Sequence, residues 1–306
     1  MERYKKGNEM ERNSTFAARH PVTVFIYWLS GVLFTMMTMR VEVLLGSFFP
    51  AALYCLYLEG AKMFKWLAGW FLSVGIFLVV ILPLFNHRGA TPLFYIQGQA
   101  VTKESVLMGA VVTLMLVSVL LWMRLGLYLL DSEKLLYLSG RIVPALGLML
   151  SQIFRMIPLM KKRYIQVHEG LMGLGMVPKE ASFWKRARHF ARELSVLIAW
   201  SLEGTVETSI SMESRGYGAG KRTSFHRFRF RLEDGWFVAA FLVLSGVGIG
   251  MAAAGGYEVY YYPEVQAVPL GGKALAGIVC GGLAGMIPMG YDIYWNRKER
   301  NYDTHH

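Results

Sequence analysis

The sequence predicts an all-α polytopic membrane protein with about six transmembrane helices and further amphipathic helices outside the bilayer. Three observations lead to this fold class. Hydrophobic residues make up 54% of the 306-residue chain, and the mean hydropathy of +0.37 is typical of proteins that cross a bilayer. Six apolar runs approach the length of about 20 residues that a spanning helix needs. About 100 residues between the fourth and fifth runs are charged but keep helical periodicity.

Each of the six predicted spans is a largely uncharged apolar run. They cover residues 22–39, 41–58, 64–85, 106–130, 236–254 and 270–293. The first 20 residues are too charged for a cleavable signal with a short apolar core, so we expect the first span to remain as an anchor. Glycines in the last two spans predict close helix packing there. They are Gly246, Gly248, Gly250, Gly277, Gly281 and Gly285.

Lysine and arginine residues set the predicted orientation. Seventeen of the 32 lie between Lys134 and Arg231, and cytoplasmic segments carry an excess of these residues. We therefore expect a multi-pass protein of the plasma membrane with both termini in the cytoplasm. The net charge of +11 then fits contact with anionic membrane lipid, and no nucleic-acid partner is expected.

This orientation divides the chain into five predicted regions. They are a cytoplasmic tail (1–21), N-terminal transmembrane helices (22–130), a cytoplasmic helical region (131–235), C-terminal transmembrane helices (236–294) and a cytoplasmic tail (295–306).

The cytoplasmic helical region is predicted to begin with interrupted helices. Pro144 and Pro158 indicate breaks or kinks in a partly embedded helix over residues 139–160. A separate short helix is expected over residues 163–171, because the glycines and Pro178 that follow disfavour helix.

A third, longer helix is predicted from Ser182, an expected N-cap, to about Arg215. At 1.5 Å per residue it would be roughly 50 Å long. Apolar residues recur along it at spacings of three and four, which predicts one continuous apolar stripe. They are Phe183, Ala187, Phe190, Ala191, Leu194, Ile198, Leu202, Val206 and Ile210.

The sequence predicts no catalytic residue, metal site or cofactor. The two cysteines lie inside apolar runs, without neighbours at the spacing of metal ligands. Gly220 and Lys221 are similar to the end of a phosphate-binding loop. However, Arg215 stands where that loop needs its first glycine, and Arg222 stands where it needs a hydroxyl group.

Arg215 is the most distinctive residue of the helical region. It stands at the predicted C-terminus of the third helix, with Gly216 directly after it. A cation there interacts favourably with the helix dipole, and glycine readily takes the left-handed conformation that ends a helix. A guanidinium at such a helix end can make bidentate bonds that lysine cannot. We therefore predict that Arg215 docks on another protein.

The segment MESRGYG (212–218), followed by Arg222 and Thr223, resembles the second Ala-Arg-Gly coupling motif of a known family. This family is the transmembrane T component of energy-coupling factor (ECF) transporters. The order of regions is also similar, with His20-Pro21 before the first span and basic helices between two sets of spans. The order is similar over nearly the whole chain, whereas the specific motifs fall within residues 139–223. The resemblance implies a non-catalytic transporter subunit for uptake of a vitamin or a metal ion such as cobalt or nickel.

The resemblance also implies partners. Arginines of two coupling motifs would each dock into one of two ABC-type ATPase subunits, and the membrane-facing side of the helices would hold a small substrate-binding S component in the membrane. Ser214, Arg215 and Gly216 occupy the second motif, with serine where alanine is more common.

The first coupling motif lacks its arginine. Two triplets are available for it: Leu171-Met172-Gly173 and, alternatively, Gly173-Leu174-Gly175. This difference leads to a hypothesis of asymmetric docking. One ATPase subunit would be held by apolar contacts through Met172, helped by the basic residues 161–163, and two different ATPase subunits would fit this arrangement.

Two other functions remain open on the sequence. A stand-alone permease should show polar residues facing a cavity in the membrane, and the predicted spans contain few. A membrane enzyme acting on lipid or peptide would have Glu203, Glu207 and His189 as its candidate chemistry.

Overall fold

The computed structural model describes residues 14–86, 89–96, 99–142, 144–176, 182–220 and 228–303. These residues confirm the predicted all-α fold, with nine helices and two short antiparallel strand pairs. The helices are α1 (Pro21–Met36), α2 (Val41–Glu59), α3 (Lys62–Phe85), α4 (Lys103–Leu129), α5 (Ser132–Ile142), α6 (Pro144–Gly173), α7 (Phe183–Ser214), α8 (Leu232–Ala253) and α9 (Gly272–Asp303). The strands are β1 (Pro92–Ile96), paired with β2 (Gln99–Thr102), and β3 (Val259–Tyr260), paired with β4 (Gln266–Ala267).

Among the described residues, five helices are long and apolar enough to cross a membrane, as is typical of a membrane protein. They are α2, α3, α4, α8 and α9. The first predicted span corresponds to α1, which is apolar but has only 16 residues. Its length is about 24 Å, less than the roughly 30 Å of a bilayer core. At the other end of the chain, α9 continues to Asp303, through most of the predicted C-terminal tail.

The chain forms two compact units. The first comprises Met1–Leu135 together with Phe228–His306, and the second comprises Leu136–Arg227. All five candidate spans and α1 belong to the first unit, whereas α6 and α7 belong to the second. The first unit is a helical bundle in which α1 packs against α4 and α8, and α9 packs against α2 and α8.

The core of the first unit is rich in aromatic side chains. Tyr27 of α1, Tyr54 of α2, Trp122 of α4 and Phe241 of α8 are all buried in one cluster. The Tyr27 ring meets the other three rings with centroids 5.1–6.5 Å apart. Such edge-to-face and tilted pairs stabilise a core beyond the area that they bury.

A buried carboxylate on α9 joins three parts of the first unit. Asp292 is fully buried. It accepts hydrogen bonds from the Phe16 backbone N–H at 2.7 Å, from the Ser14 hydroxyl at 2.8 Å and from the Tyr54 hydroxyl at 2.8 Å. The segment before α1 is thereby fixed to α2 and α9. The sequence gives no local signal for this role, because the three donors lie far from Asp292 along the chain.

The glycines of the last two spans confirm the prediction of close packing at most positions. A Cβ atom on Gly248 would lie 2.6 Å from a ring carbon of Phe34, and one on Gly285 would lie 2.7 Å from Pro50. The other crowded positions are Gly277 and Gly281. The prediction is wrong for two glycines, which face open space: Gly246 and Gly250.

The prediction of a separate short helix over residues 163–171 is wrong. Pro144 begins α6, as proline often does at a first helical position. Pro158 lies inside the same helix, which continues without interruption to Gly173. A proline removes one backbone hydrogen bond and bends a helix, but the packing of α6 along α7 is sufficient to keep the helix continuous.

Candidate functional site

Helices α6 and α7 pack against each other in opposite directions. The His168 ring of α6 forms a hydrogen bond with the Glu193 carboxylate of α7. Five residues earlier in α6, the Arg163 guanidinium lies 4.5 Å from the ring centre of Trp200, which is seven residues later than Glu193 in α7. The residue numbers therefore fall along α6 as they rise along α7. Consequently, the C-terminal ends of the two helices lie at opposite ends of the pair.

The end of α7 has the predicted arginine and glycine in a well-defined turn, which we call the α7 tip (212–218). Arg215 is the C-cap, and Gly216 has a left-handed φ of +80°. The Gly216 N–H donates to the Glu213 carbonyl at 2.9 Å, and the Tyr217 N–H donates to the Met212 carbonyl at 3.0 Å. These two bonds define a Schellman motif, which satisfies carbonyls at a helix end. The prediction of a helix that ends at Arg215 is confirmed.

The end of α6 has the same geometry, and we call it the α6 tip (171–176). Leu174 takes the C-cap position, and Gly175 has a φ of +69°. The Gly175 N–H donates to the Met172 carbonyl and the Met176 N–H donates to the Leu171 carbonyl, both at 3.0 Å. The two tips are therefore the same motif, built from different side chains.

Only one of the two triplets considered from the sequence has the backbone geometry of the α7 tip. Gly175 corresponds to Gly216, so Leu174 occupies the place of Arg215. The triplet Gly173-Leu174-Gly175 is thus the counterpart of Ser214-Arg215-Gly216. Leu171, Met172 and Gly173 instead form the last helical positions before the cap. Leu174 is 71% exposed, which makes it the most prominent apolar side chain of the α6 tip.

The left-handed glycine of the α7 tip leads to a first prediction. Gly216→Ala should destabilise the tip by about 1–2 kcal/mol, because an L-residue is strained at positive φ. Gly170→Ala is the matched control, since Gly170 is inside α6 and its added Cβ would also meet open space. Hydrogen exchange at the backbone amides of positions 216 and 217 should be about tenfold faster only in the first variant. Equal exchange rates in the two variants would contradict the conclusion that the left-handed conformation at Gly216 stabilises the α7 tip.

A groove lies between α6 and α7 beside the α7 tip. Its volume is about 350 Å³, and two arginines line it from different helices, Arg155 from α6 and Arg215 from α7. The remaining lining residues are Gln152, Glu207, Thr208, Ser211 and Met212. Both guanidinium groups are on exposed residues, and neither forms an ion pair within 4.0 Å among the described residues. Sequence reasoning missed Arg155, because its proximity to Arg215 depends on how the two helices align.

The residues considered for acid-base chemistry do not form one site. Glu203 and Glu207 are both exposed on α7. His189 is 14 residues before Glu203 on the same helix, a distance of about 21 Å. Its Nδ1 atom instead lies 3.4 Å from Oε1 of Glu193, a carboxylate that the sequence did not single out.

Glu193 is the centre of a polar cluster between α6 and α7. Its side chain is only 3% exposed, and Oε1 lies 2.6 Å from Nδ1 of His168. The rings of His168 and Tyr164 stack with centroids 6.0 Å apart. Burial and the Glu193 carboxylate raise the pKa of the Tyr164 phenol, so this group stays protonated at neutral pH. The cluster therefore holds the two helices together through polar contacts.

This cluster leads to a second prediction. Glu193→Ala should weaken the α6–α7 pair by about 2–3 kcal/mol, because His168 and His189 both lose their partner. Glu203→Ala, which removes an exposed carboxylate from the same helix, should have little effect. The expected readout is faster amide exchange throughout α6 and α7 in the first variant alone. Equal protection in both variants would show that the cluster does not stabilise the pair.

The C-terminal part of the predicted apolar stripe of α7 faces away from α6, whereas Phe190 near its start contacts Tyr164 of α6 with ring centroids 6.5 Å apart. Leu202 is nine residues after Glu193, which places it on the opposite side of α7 from Glu193. Because Glu193 contacts α6, Leu202 faces away from α6. Leu202, Val206 and Ile210 are each about 60% exposed. A continuous apolar surface of this kind is unusual in water and typically contacts lipid or another protein.

The described residues contain no group of three or more His, Cys, Asp or Glu arranged to hold a metal ion. Several residues of the sequence interpretation lie outside the part of the chain that the structure describes. They are Pro178, Lys221, Arg222 and Thr223. No protein-family model matches the chain, and no curated protein matches it either.

Proposed function

We propose that this chain is the T component of an ECF-type importer. In this role it couples ATP hydrolysis by two partner ATPase subunits to a membrane S component that binds a vitamin or a metal ion. The main observation in support is the pair of Schellman motifs at opposite ends of the α6–α7 pair, one of which presents the exposed Arg215. The chain itself would hydrolyse nothing.

The distance between the two tips supports docking of two subunits. Measured along the helix axes from the contact between His168 and Glu193, Leu174 lies about 9 Å in one direction and Arg215 about 33 Å in the other. The tips are therefore about 40 Å apart. A globular domain of about 200 residues has a diameter of about 40 Å, so two such domains fit side by side.

The exposed stripe of α7 supports a third contact. Its apolar side chains suit an S component or membrane lipid better than water. Together with the five candidate spans, this supports a location in the plasma membrane. The proposed topology keeps both termini and α6–α7 on the cytoplasmic side, because these segments are rich in lysine and arginine.

The two tips differ in chemistry, which supports docking of two different ATPase subunits. The α7 tip presents a guanidinium, whereas the α6 tip presents the exposed side chains of Met172, Leu174 and Met176. An apolar tip requires an apolar pocket, and a guanidinium requires carboxylates or carbonyls. The residue at the centre of the first docking contact is thus Leu174 rather than Met172.

This asymmetry leads to a third prediction. Arg215→Glu should release one ATPase polypeptide, and Leu174→Glu should release the other, because each change places a carboxylate at only one tip. Mass spectrometry of the complexes purified in mild detergent would identify which polypeptide is lost. Release of the same single polypeptide by both variants would contradict two different docking partners.

Copurification in mild detergent is the most direct test of the proposed function. Two ATPase subunits and a small membrane protein should remain bound to the chain, and ATP-driven uptake should need all of them. Transport by the purified chain alone in liposomes, without ATPases, would instead favour the stand-alone permease.

A further inference from the structure

We propose that Arg155 and Arg215 together bind one carboxylate of an acidic segment on the ATPase subunit that docks at the α7 tip. This inference rests on the proposed function and adds to it a second residue and the chemistry of the partner. The groove between α6 and α7 then receives a side chain of the partner, in addition to any insertion of Arg215 into the partner.

The first argument is the convergence of the two arginines. Arg155 is on α6 and Arg215 caps α7, 60 residues later in the chain, yet both line one groove of about 350 Å³. No described carboxylate forms an ion pair with either guanidinium. Like charges repel, so two unpaired guanidinium groups on one groove favour an anion between them.

The second argument is the charge of the groove, which selects the kind of anion. Arg155, Arg215 and Glu207 give it a net charge of about +1 at neutral pH. A single carboxylate neutralises this charge, whereas a phosphate group with two negative charges would leave the groove with a net negative charge. Guanidinium groups bind carboxylates through paired N–H donors, and the Ser211 hydroxyl on the same groove can donate a further bond.

The third argument is that the site exists only while α6 and α7 are paired. One arginine comes from each helix, so a carboxylate that contacts both is sensitive to the alignment of the pair. The polar cluster at Glu193, about 33 Å along α7 from Arg215, contributes to that alignment. The partner would therefore bind a feature formed by two helices and not the α7 tip alone.

The test measures how much ATPase remains bound to the purified complex as salt is raised. Arg155→Ala should reduce retention of one ATPase subunit about tenfold, as expected for loss of a charged hydrogen-bonded contact. Arg155→Lys should restore only part of it, because an ammonium group cannot form a bidentate pair. Arg297→Ala, which removes an exposed arginine from α9, is the matched control and should leave retention unchanged.

The double variant distinguishes a shared carboxylate from two separate contacts. If both arginines bind the same carboxylate, the double variant Arg155→Ala with Arg215→Ala should reduce ATPase retention by clearly less than the product of the two single-variant fold reductions. Multiplicative effects would overturn the proposal, as would wild-type retention by Arg155→Ala. An effect of Arg155→Ala that is present in phosphatidylglycerol nanodiscs but absent in phosphatidylcholine nanodiscs would assign the groove to a lipid phosphate and would also overturn it.

The outcomes separate this proposal from the proposed function. If the wild-type chain retains no ATPase subunit, the proposed function fails and the carboxylate site fails with it. If ATPase subunits are retained but Arg155→Ala does not change the amount retained, only the proposed carboxylate site is wrong.

Discussion

Replacing Arg215 with alanine is expected to reduce retention of one ATPase subunit about 10- to 100-fold and to abolish coupled uptake. Arg215 projects from a helix end whose backbone is already fixed by the hydrogen bonds of Gly216 and Tyr217, so little conformational entropy is lost on docking. Truncation of such an arginine anchor commonly costs 2 kcal/mol or more, a factor of about 30. The measurement is ATPase bound per chain in detergent, together with uptake in proteoliposomes.

Membrane insertion should be unaffected by this change, because Arg215 is exposed and has no ion-pair partner among the described residues. Arg215→Lys should recover only a small part of the retention, since lysine keeps the charge but not the planar donor geometry. Arg297→Ala again removes one exposed charge outside the α6–α7 pair. If Arg215→Ala and Arg297→Ala retained equal amounts of ATPase, docking through the α7 tip would be refuted.

The largest effect on stability is expected from Asp292→Ala. Removal of this carboxylate leaves the Ser14 hydroxyl, the Tyr54 hydroxyl and the Phe16 N–H without their acceptor inside a buried region. Each unsatisfied buried donor is costly, and we expect a loss of about 3 kcal/mol for the site. Thermal unfolding in detergent should show a decrease in Tm of about 6–12 °C.

Two further variants test the origin of this loss. Asp292→Asn keeps one acceptor oxygen and should have an intermediate Tm. Glu264→Ala removes an exposed carboxylate from the same unit and should leave the Tm unchanged. A Tm for Asp292→Ala equal to that of Glu264→Ala would mean that these hydrogen bonds contribute nothing to stability.

The sequence predicted the features that depend on short segments of chain. Long apolar runs are sufficient to identify the five candidate spanning helices, because the requirement is length and composition alone. The end of α7 was also predictable, since Arg215-Gly216 is a local helix-stop signal. The end of α6 was ambiguous from the sequence because Gly173 and Gly175 are both candidates for the left-handed position, and only backbone geometry distinguishes them.

Features that depend on the alignment of distant segments were not predictable. The continuity of α6 through Pro158 follows from its packing along α7, which overrides a local propensity. The groove brings Arg155 near Arg215 only because the two helices run in opposite directions with one particular register. The donors around Asp292 come from residues about 240 and 280 positions earlier, so no local pattern marks this site.

The apolar stripe of α7 also determines how a partner helix can lie on it. From Leu194 to Ile210 its residues recur at every fourth position and form one ridge of the helix surface. Ridges of this kind are inclined by about 26° to the helix axis, and two helices that interlock them cross at about −50°. Each partner helix would therefore meet α7 obliquely over a short length, so covering the whole ridge requires several helices side by side rather than one.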